Sequence, residues 1–324
     1  MREPRDASGL PSDVVGTVLT VGTFDGVHRG HQDVLDRLVR RAHTTGLRSL
    51  LVTFDPHPLE IVNPTAAPPL LMVGTERLEV LAESGLDYVA VLPFTPTLAR
   101  YDAAAFVERV LLERFRMREL LMGHDHGFGR GRQGDVHMMQ RLGALHGFVV
   151  DVIPAVGLDD GRAISSTSIR RAIAGGDLKR AAEGLGRPYS ISGRVVQGAG
   201  RGQTLGYRTV NLELPAGRKL LPPEGVYAVR AQTPSGPFGG MMNLGSRPTF
   251  DDPTLQVEAH LFDAAGDWYG ASVRLDVIAW LRETRKFDGP AALIRQLADD
   301  ERAARIALTL STAAGTFQGS PKPS

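Results

Sequence analysis

The chain has 324 residues, more than one ordinary core accommodates, so two domains are expected. Its 37 Lys and Arg against 36 Asp and Glu leave a net charge of +1, which provides no polyanion-binding field and argues against a nucleic-acid partner. With no cysteine, disulfides, thiolate catalysis and cysteine metal sites are excluded.

The first residues, with Arg2, Glu3, Arg5 and Asp6 followed by Ser, Gly and Pro, lack the apolar stretch of a signal peptide, and no run is long enough to cross a bilayer. A cytoplasmic protein with no membrane partner is expected. Residues 1–13 and 311–324 are expected to be disordered.

In chain order, apolar runs at 14–21, 49–54, 88–92, 119–122 and 148–153 read as buried parallel strands. Helical periodicity falls between them at 31–44, 75–84, 103–115 and 136–146. Strand and helix in alternation predict a doubly wound parallel α/β sheet, with ligands at the carboxyl ends of its strands. Two short helices, 167–174 and 177–185, follow. Then the pattern changes to short alternating strands at 190–197, 226–232, 239–244, 256–262 and 272–281, separated by Gly and Pro. An antiparallel barrel or sandwich is expected there, closed by an amphipathic helix over 291–310. Gly186-Arg187-Pro188 is the expected hinge, giving domains of 14–186 and 187–310.

Gly22-Thr23-Phe24-Asp25-Gly26-Val27-His28-Arg29-Gly30-His31 links the first strand to the first helix through a tight glycine turn. A helix start carries unpaired N–H groups and partial positive charge, and so suits phosphate. His28 and His31, three apart, share one helix face, while Gly26 and Gly30 leave room for phosphate oxygens. Fixed donors of this kind stabilise the charge that develops during nucleotidyl transfer. The competing reading is two surface histidines on an exposed turn.

Further along, Asp55 ends the second strand just before the stiffening Pro56 and Pro58, where it is either a ligand-side carboxylate or a turn cap. Asp125 lies in a glycine-rich loop and could accept from ribose or adenine. Ser165, Ser166 and Thr167 present hydroxyls at a helix start with Arg170 one turn in, a second candidate anion site, although plain N-capping also explains the hydroxyls. In the second half, Gly198, Gly200, Gly202 and Gly206 with Arg201 form a glycine-rich loop without a Walker lysine. It suits phosphates, or is a flexible hairpin. Thr209 and Asn211 after it offer hard oxygens of the kind magnesium requires. In the strand 256–262, Glu258 shares a face with Gln256, His260 and Phe262.

These segments resemble the bacterial bifunctional riboflavin kinase/FAD synthetases. Residues 22–31 resemble the nucleotidyltransferase H-x-G-H motif in its G-x-F-D-G-V-H-x-G-H form. Residues 53–58 resemble T-F-D-P-H-P, residues 123–129 resemble G-x-[DN]-F-x-F-G, and residues 164–170 resemble I-S-S-T-x-I-R. Residues 198–212 are similar to the flavokinase G-x-x-R-G-R-x-L-G-x-P-T-A-N-L, and 224–228, 243–250, 256–263 and 281–287 also resemble flavokinase motifs. Departures are Arg208 in place of proline, Val210 in place of alanine, Gln197 in place of histidine and His126 in place of phenylalanine. Arg208 is expected to loosen the segment that proline would preset.

The resemblance implies an α/β nucleotidyltransferase domain followed by an antiparallel β-barrel riboflavin kinase domain with a C-terminal helix. It implies that riboflavin is phosphorylated to FMN with ATP and Mg2+, and that FMN is adenylylated to FAD with release of pyrophosphate. It assigns catalysis to His28, His31, Arg170 and Glu258, the last as base. Nucleotide or phosphate contacts fall to Gly22, Phe24, Asp25, Gly30, Asp55, Asp125, Ser166, Thr167, Gly198, Arg201 and Gly206, and Mg2+ and ATP phosphate to Thr209 and Asn211. Two alternatives remain: a nucleotidyltransferase for another phosphate monoester whose barrel only binds flavin, and a flavin sensor without turnover.

Overall fold

The computed structural model describes residues 10–123, 127–129, 133–154, 164–198, 206–215, 218–246 and 255–314. Contacts divide the chain into two compact units, Met1–Ser166 and Thr167–Ser324.

The first unit is built on five strands: β1 (Thr17–Val21), β2 (Arg48–Asp55), β3 (Tyr88–Pro93), β4 (Met117–Gly123) and β5 (Val149–Ile153). All pair in parallel, in the order β3-β2-β1-β4-β5. Helices α1 (Arg29–Thr45), α2 (Pro58–Val62), α3 (Glu76–Ala82), α4 (Pro96–Ala99), α5 (Ala103–Phe106) and α6 (Val136–His146) join them. The 103–115 helix expected from periodicity is α5 continued as a π-helical stretch, Val107–Leu112.

Alternate residues of the central strands feed two cores. Leu19, Val21, Leu50, Val52 and Phe54 pack on one face with Phe106 and Leu111. Val18, Leu51, Val89 and Leu121 pack on the other with Leu35 and Leu38 of α1. Both faces of the sheet are therefore covered, as a parallel sheet requires. Strand order reverses between β1 and β4, and a crevice opens at such a reversal beyond the carboxyl ends of the strands. The turn after β1 sits there.

The start of the chain departs from expectation. Leu10 packs against the first core, and Arg116 Nη1 donates to the Pro11 carbonyl at 3.1 Å and the Val14 carbonyl at 2.5 Å. Residues 10–13 are therefore ordered, and β1 begins at Thr17 rather than at 14.

The second unit contains α7 (Ser166–Ala174, from its second residue), α8 (Leu178–Leu185), six strands and α9 (Pro290–Ala314). The two compact units divide at 166/167, and α8 packs on strands of the barrel. The helix α9 reaches Ala314, so 311–314 are helical where disorder was expected.

The strands are β6 (Tyr189–Val196), β7 (Thr209–Glu213), β8 (Gly225–Thr233), β9 (Gly236–Ser246), β10 (Leu255–Leu261) and β11 (Ser272–Arg282). They close a barrel in the order β10-β7-β6-β11-β8-β9, antiparallel throughout. Closure settles the choice between barrel and sandwich. It depends on β7, which sequence reading had placed in the glycine-rich segment rather than in a strand.

Val257, Ala259, Leu212, Leu244 and Met242 fill the interior, whereas Glu258 faces outward in register with Asn211 on one side and Asn243 on the other. On the outer face, α9 covers Ala228, Met241 and Phe262 with Ala304. Arg282 holds α9 through Asp300, with Nε to Oδ1 at 2.8 Å and Nη2 to Oδ2 at 2.7 Å.

Candidate active sites

In the first unit, the turn after β1 is tightly wound. Phe24, Gly26 and Val27 have φ of 48°, 86° and 37°. A β-branched residue at positive φ is a rare conformer, and it persists only where its surroundings fix it. The buried Asp25 and the half-buried Arg77 do so here. The Asp25 carboxylate accepts the Leu71 and Met72 backbone N–H groups, each at 3.0 Å. Arg77 donates to the Thr23 carbonyl at 2.9 Å and to the Phe54 carbonyl at 3.0 Å, tying the loop after β1 to the end of β2. Burial pushes the Arg77 guanidinium below its ordinary value, while Asp55 and Asp25 pull it back up.

His28 caps α1. Its Nδ1 accepts the His31 backbone N–H at 3.2 Å, so the neutral ring carries its proton on Nε2, as a donor. The His28 and His31 rings stack with centroids 3.6 Å apart and planes 14° apart, and Phe24 stacks on His31 at 4.5 Å. Both histidines therefore belong to a three-ring stack, and His28 is only 6% exposed, unlike a histidine on an open turn. Gly30 permits the stack: a Cβ there would lie 3.3 Å from the His28 ring atoms Cε1 and Nδ1.

Of the other residues read as site residues, Gly22 donates its N–H to the Val52 carbonyl at 3.0 Å. Asp55 is exposed at the end of β2. The Asp25 carboxylate accepts two backbone N–H groups of the chain itself. Ser166 Oγ donates to the Asp25 carbonyl at 2.8 Å, which ties the start of α7 to the turn. Thr167 is exposed and Arg170 half-buried, one turn along α7 in the second unit. Asp125 and Arg201, with His126, lie outside the described residues.

In the second unit, Thr209 Oγ1 donates to Glu258 Oε1 at 2.5 Å. Asn211, two residues on, pairs with Glu258 across β7 and β10. Thr209, Asn211 and Glu258 thus come together on the outer barrel face. Thr209 and Asn211 lie on a strand, and their side chains share a face because of its period of two. Gly198 contributes a vacancy: a Cβ there would collide with the Asn211 amide. Gly206 turns the chain at φ 83° just before β7. The Arg208 carbonyl accepts from His260 Nδ1 at 2.7 Å. A pocket of about 220 Å³ opens beside Thr209, walled by Val195, Val210, Leu261 and Trp268, with Arg208 and His260 on its polar side.

Arg77, Asn243 and His260 were not singled out from the sequence. Arginine in a helix has no distinguishing pattern. Asn243 and His260 sit in segments that carry the resemblance, but only the register of β9, β10 and β7 places them beside Glu258 and Thr209.

Comparison with known proteins agrees with this geometry. Residues 10–168 match the family model of FAD synthetase, and residues 185–308 that of riboflavin kinase. The bifunctional riboflavin kinase/FMN adenylyltransferase of Escherichia coli (strain K12) is 38% identical over 291 residues, 90% of this chain and 92% of that protein. The protein of the same description from Pseudomonas fluorescens is 38% identical over 306 residues, 94% of this chain and 97% of its own. Among solved structures, a Streptococcus pneumoniae protein described as a macrolide-efflux protein matches with a TM-score of 0.79 at 29% identity, covering 94% of this chain and 97% of that one. Efflux belongs to that description alone; among the described residues no helix is long and apolar enough to cross a membrane. Matched by both family models and by relatives along nearly its whole length, the chain belongs to the bifunctional riboflavin kinase/FMN adenylyltransferases.

Proposed function

We propose that the family's two reactions are divided between the two sites, with phosphorylation of riboflavin on the barrel and adenylylation of FMN at the carboxyl edge of the parallel sheet. The observation that carries this reading is the Thr209–Glu258 hydrogen bond at 2.5 Å. It holds a carboxylate in place to take the proton of a primary alcohol, and it uses the Thr209 proton, leaving that hydroxyl's lone pairs for a cation or phosphate.

Thr209 and Asn211 offer hard oxygens, which fit Mg2+. Among the described residues no three His, Asp or Glu side chains converge on a metal position, so Mg2+ would take its other ligands from ATP and water. When bound, the ion supplies charge neutralisation on the phosphates. The pocket beside Thr209 suits the nucleoside end of ATP.

At the sheet edge, the Nε2–H of His28, with His31 stacked beside it, is a fixed donor for the charge that grows on the α-phosphate as an FMN phosphate oxygen attacks. Ser166, whose hydroxyl donates to the Asp25 carbonyl at the turn, is suited to the departing pyrophosphate. ATP as co-substrate of both steps fits a cytoplasmic setting, and the near-zero net charge fits small-molecule partners rather than nucleic acid.

The test is one chromatographic assay of riboflavin, ATP and Mg2+ with wild type, His28→Ala and Glu258→Ala. His28→Ala is expected to accumulate FMN. Glu258→Ala is expected to make neither product from riboflavin, yet to convert supplied FMN to FAD. FAD formation at the wild-type rate by His28→Ala would overturn the role given to the imidazoles. FMN formation at the wild-type rate by Glu258→Ala would overturn the base.

A further inference from the structure

We infer that His260 is a positioning residue for the kinase reaction, acting on Thr209 through the Arg208 carbonyl. The inference rests on the reading of Thr209 as a cation and phosphate ligand. Thr209 is the first residue of β7, and the chain before it turns at Gly206 with φ 83°. Nothing in the covalent structure of Arg208 restrains its φ, whereas proline there would.

The restraint comes from the neighbouring strand, β10. His260 pairs with Thr209 in the β7–β10 register, and its Nδ1 donates to the Arg208 carbonyl at 2.7 Å. A carbonyl can only accept, so Nδ1 carries the proton. The imidazole is itself held by Tyr207 edge-on at 5.0 Å and by Phe262 at 5.9 Å. One hydrogen bond from a fixed ring thus orients the peptide that joins Arg208 to Thr209, and with it the Thr209 hydroxyl. A proline at 208 would instead fix the neighbouring torsion, φ of residue 208, in the same segment. The expectation that Arg208 loosens the segment is answered by His260.

The experiment measures kinase rate against Mg2+ and ATP concentration, with denaturation followed by the fluorescence of Trp268 and Trp280, both in the second unit, as the check on folding. His260→Ala is expected to raise the Mg2+ concentration for half-maximal kinase rate by about tenfold, with a smaller change in kcat and no change in adenylylation. His260→Asn, whose amide N–H stands near the place of Nδ1, is expected to restore the Mg2+ response. His260→Gln, which is as polar but places its amide at the other ring nitrogen's position, is expected not to. Adding Arg208→Pro to His260→Ala is expected to recover part of the loss by fixing φ covalently.

An unchanged Mg2+ response in His260→Ala, equal behaviour of the Asn and Gln variants, or a double variant no better than His260→Ala would each overturn the inference. Thr209→Ala separates it from the reading on which it rests. If Thr209→Ala keeps the wild-type Mg2+ response, the ligand role of Thr209 fails. If Thr209→Ala loses that response while His260→Ala keeps it, only the positioning role of His260 fails.

Discussion

The Asn211 amide occupies the space that a Cβ on Gly198 would fill. Gly198 is therefore required by a side chain on the neighbouring strand, since β6 and β7 run together and Val196 pairs with Asn211 just before the strand ends. Gly198→Ala is expected to push the Asn211 amide off the position that Glu258 and Thr209 share. Displacement of a ligand by about 1 Å costs on the order of a hundredfold in rate. Kinase activity should fall by about that factor while adenylylation of supplied FMN is kept. Steady-state assay of the two half-reactions checks it; a kinase rate within twofold of wild type, roughly the scatter of such assays, would show that the amide relaxes at little cost.

Arg77 makes the corresponding tie in the first unit. It is the half-buried cation that joins the Thr23 and Phe54 carbonyls. Replacing it with Met retains bulk but leaves both carbonyls without that donor, at a cost of about 2–4 kcal/mol. Arg77→Met is expected to lose protection of the 22–27 turn in hydrogen exchange and to lower adenylylation, with the kinase reaction unaffected. Arg77→Lys, a single ammonium that lacks the planar fork, should recover only part.

Much of the first unit can be read in the sequence because its strands are continuous apolar runs and α6 spans the residues its periodicity marks. The motif turn was legible because its glycines and histidines bunch between a strand and a helix. The backbone partners of Asp25 were not legible, because only the fold brings Leu71 and Met72 to the turn. In the barrel, β7 was hidden because its five residues alternate Thr, Val, Asn, Leu and Glu directly after a glycine-rich loop, so its polar face reads as loop. Glu258 was identified through resemblance, while its partners Asn243 and Thr209 follow from register, which no local pattern sets.

Asp300 is 3% exposed and is paired side-on with Arg282, with Gln296 Nε2 donating to its Oδ1 at 2.7 Å. Asp300→Ala leaves the guanidinium without its counter-charge and is expected to cost the barrel about 3–5 kcal/mol, whereas Arg282→Met with Asp300→Leu together should recover most of it. Both tryptophans of the chain, Trp268 and Trp280, belong to the second unit, so their fluorescence during denaturation reports this unit alone. A double variant as unstable as Asp300→Ala would mean that α9 depends on the ion pair itself.

The same fluorescence tests a pH dependence set by Tyr227. This side chain is fully buried, its hydroxyl donates to the Pro223 carbonyl, and burial pushes the phenol up to about 12. In the unfolded chain the phenol ionises near 10. Between those two values the unfolded state sheds a proton that the folded barrel keeps. The stability Tyr227 contributes is therefore complete below about pH 10 and is lost progressively as pH rises toward 12. Tyr227→Phe removes the titration together with the hydrogen bond. Below pH 10 the variant should be less stable than wild type by about 1 kcal/mol. As pH rises above 10 the difference should shrink, because only the wild type carries this penalty. A difference that stays constant from pH 9 to pH 12 would assign the alkaline loss of the barrel to other groups.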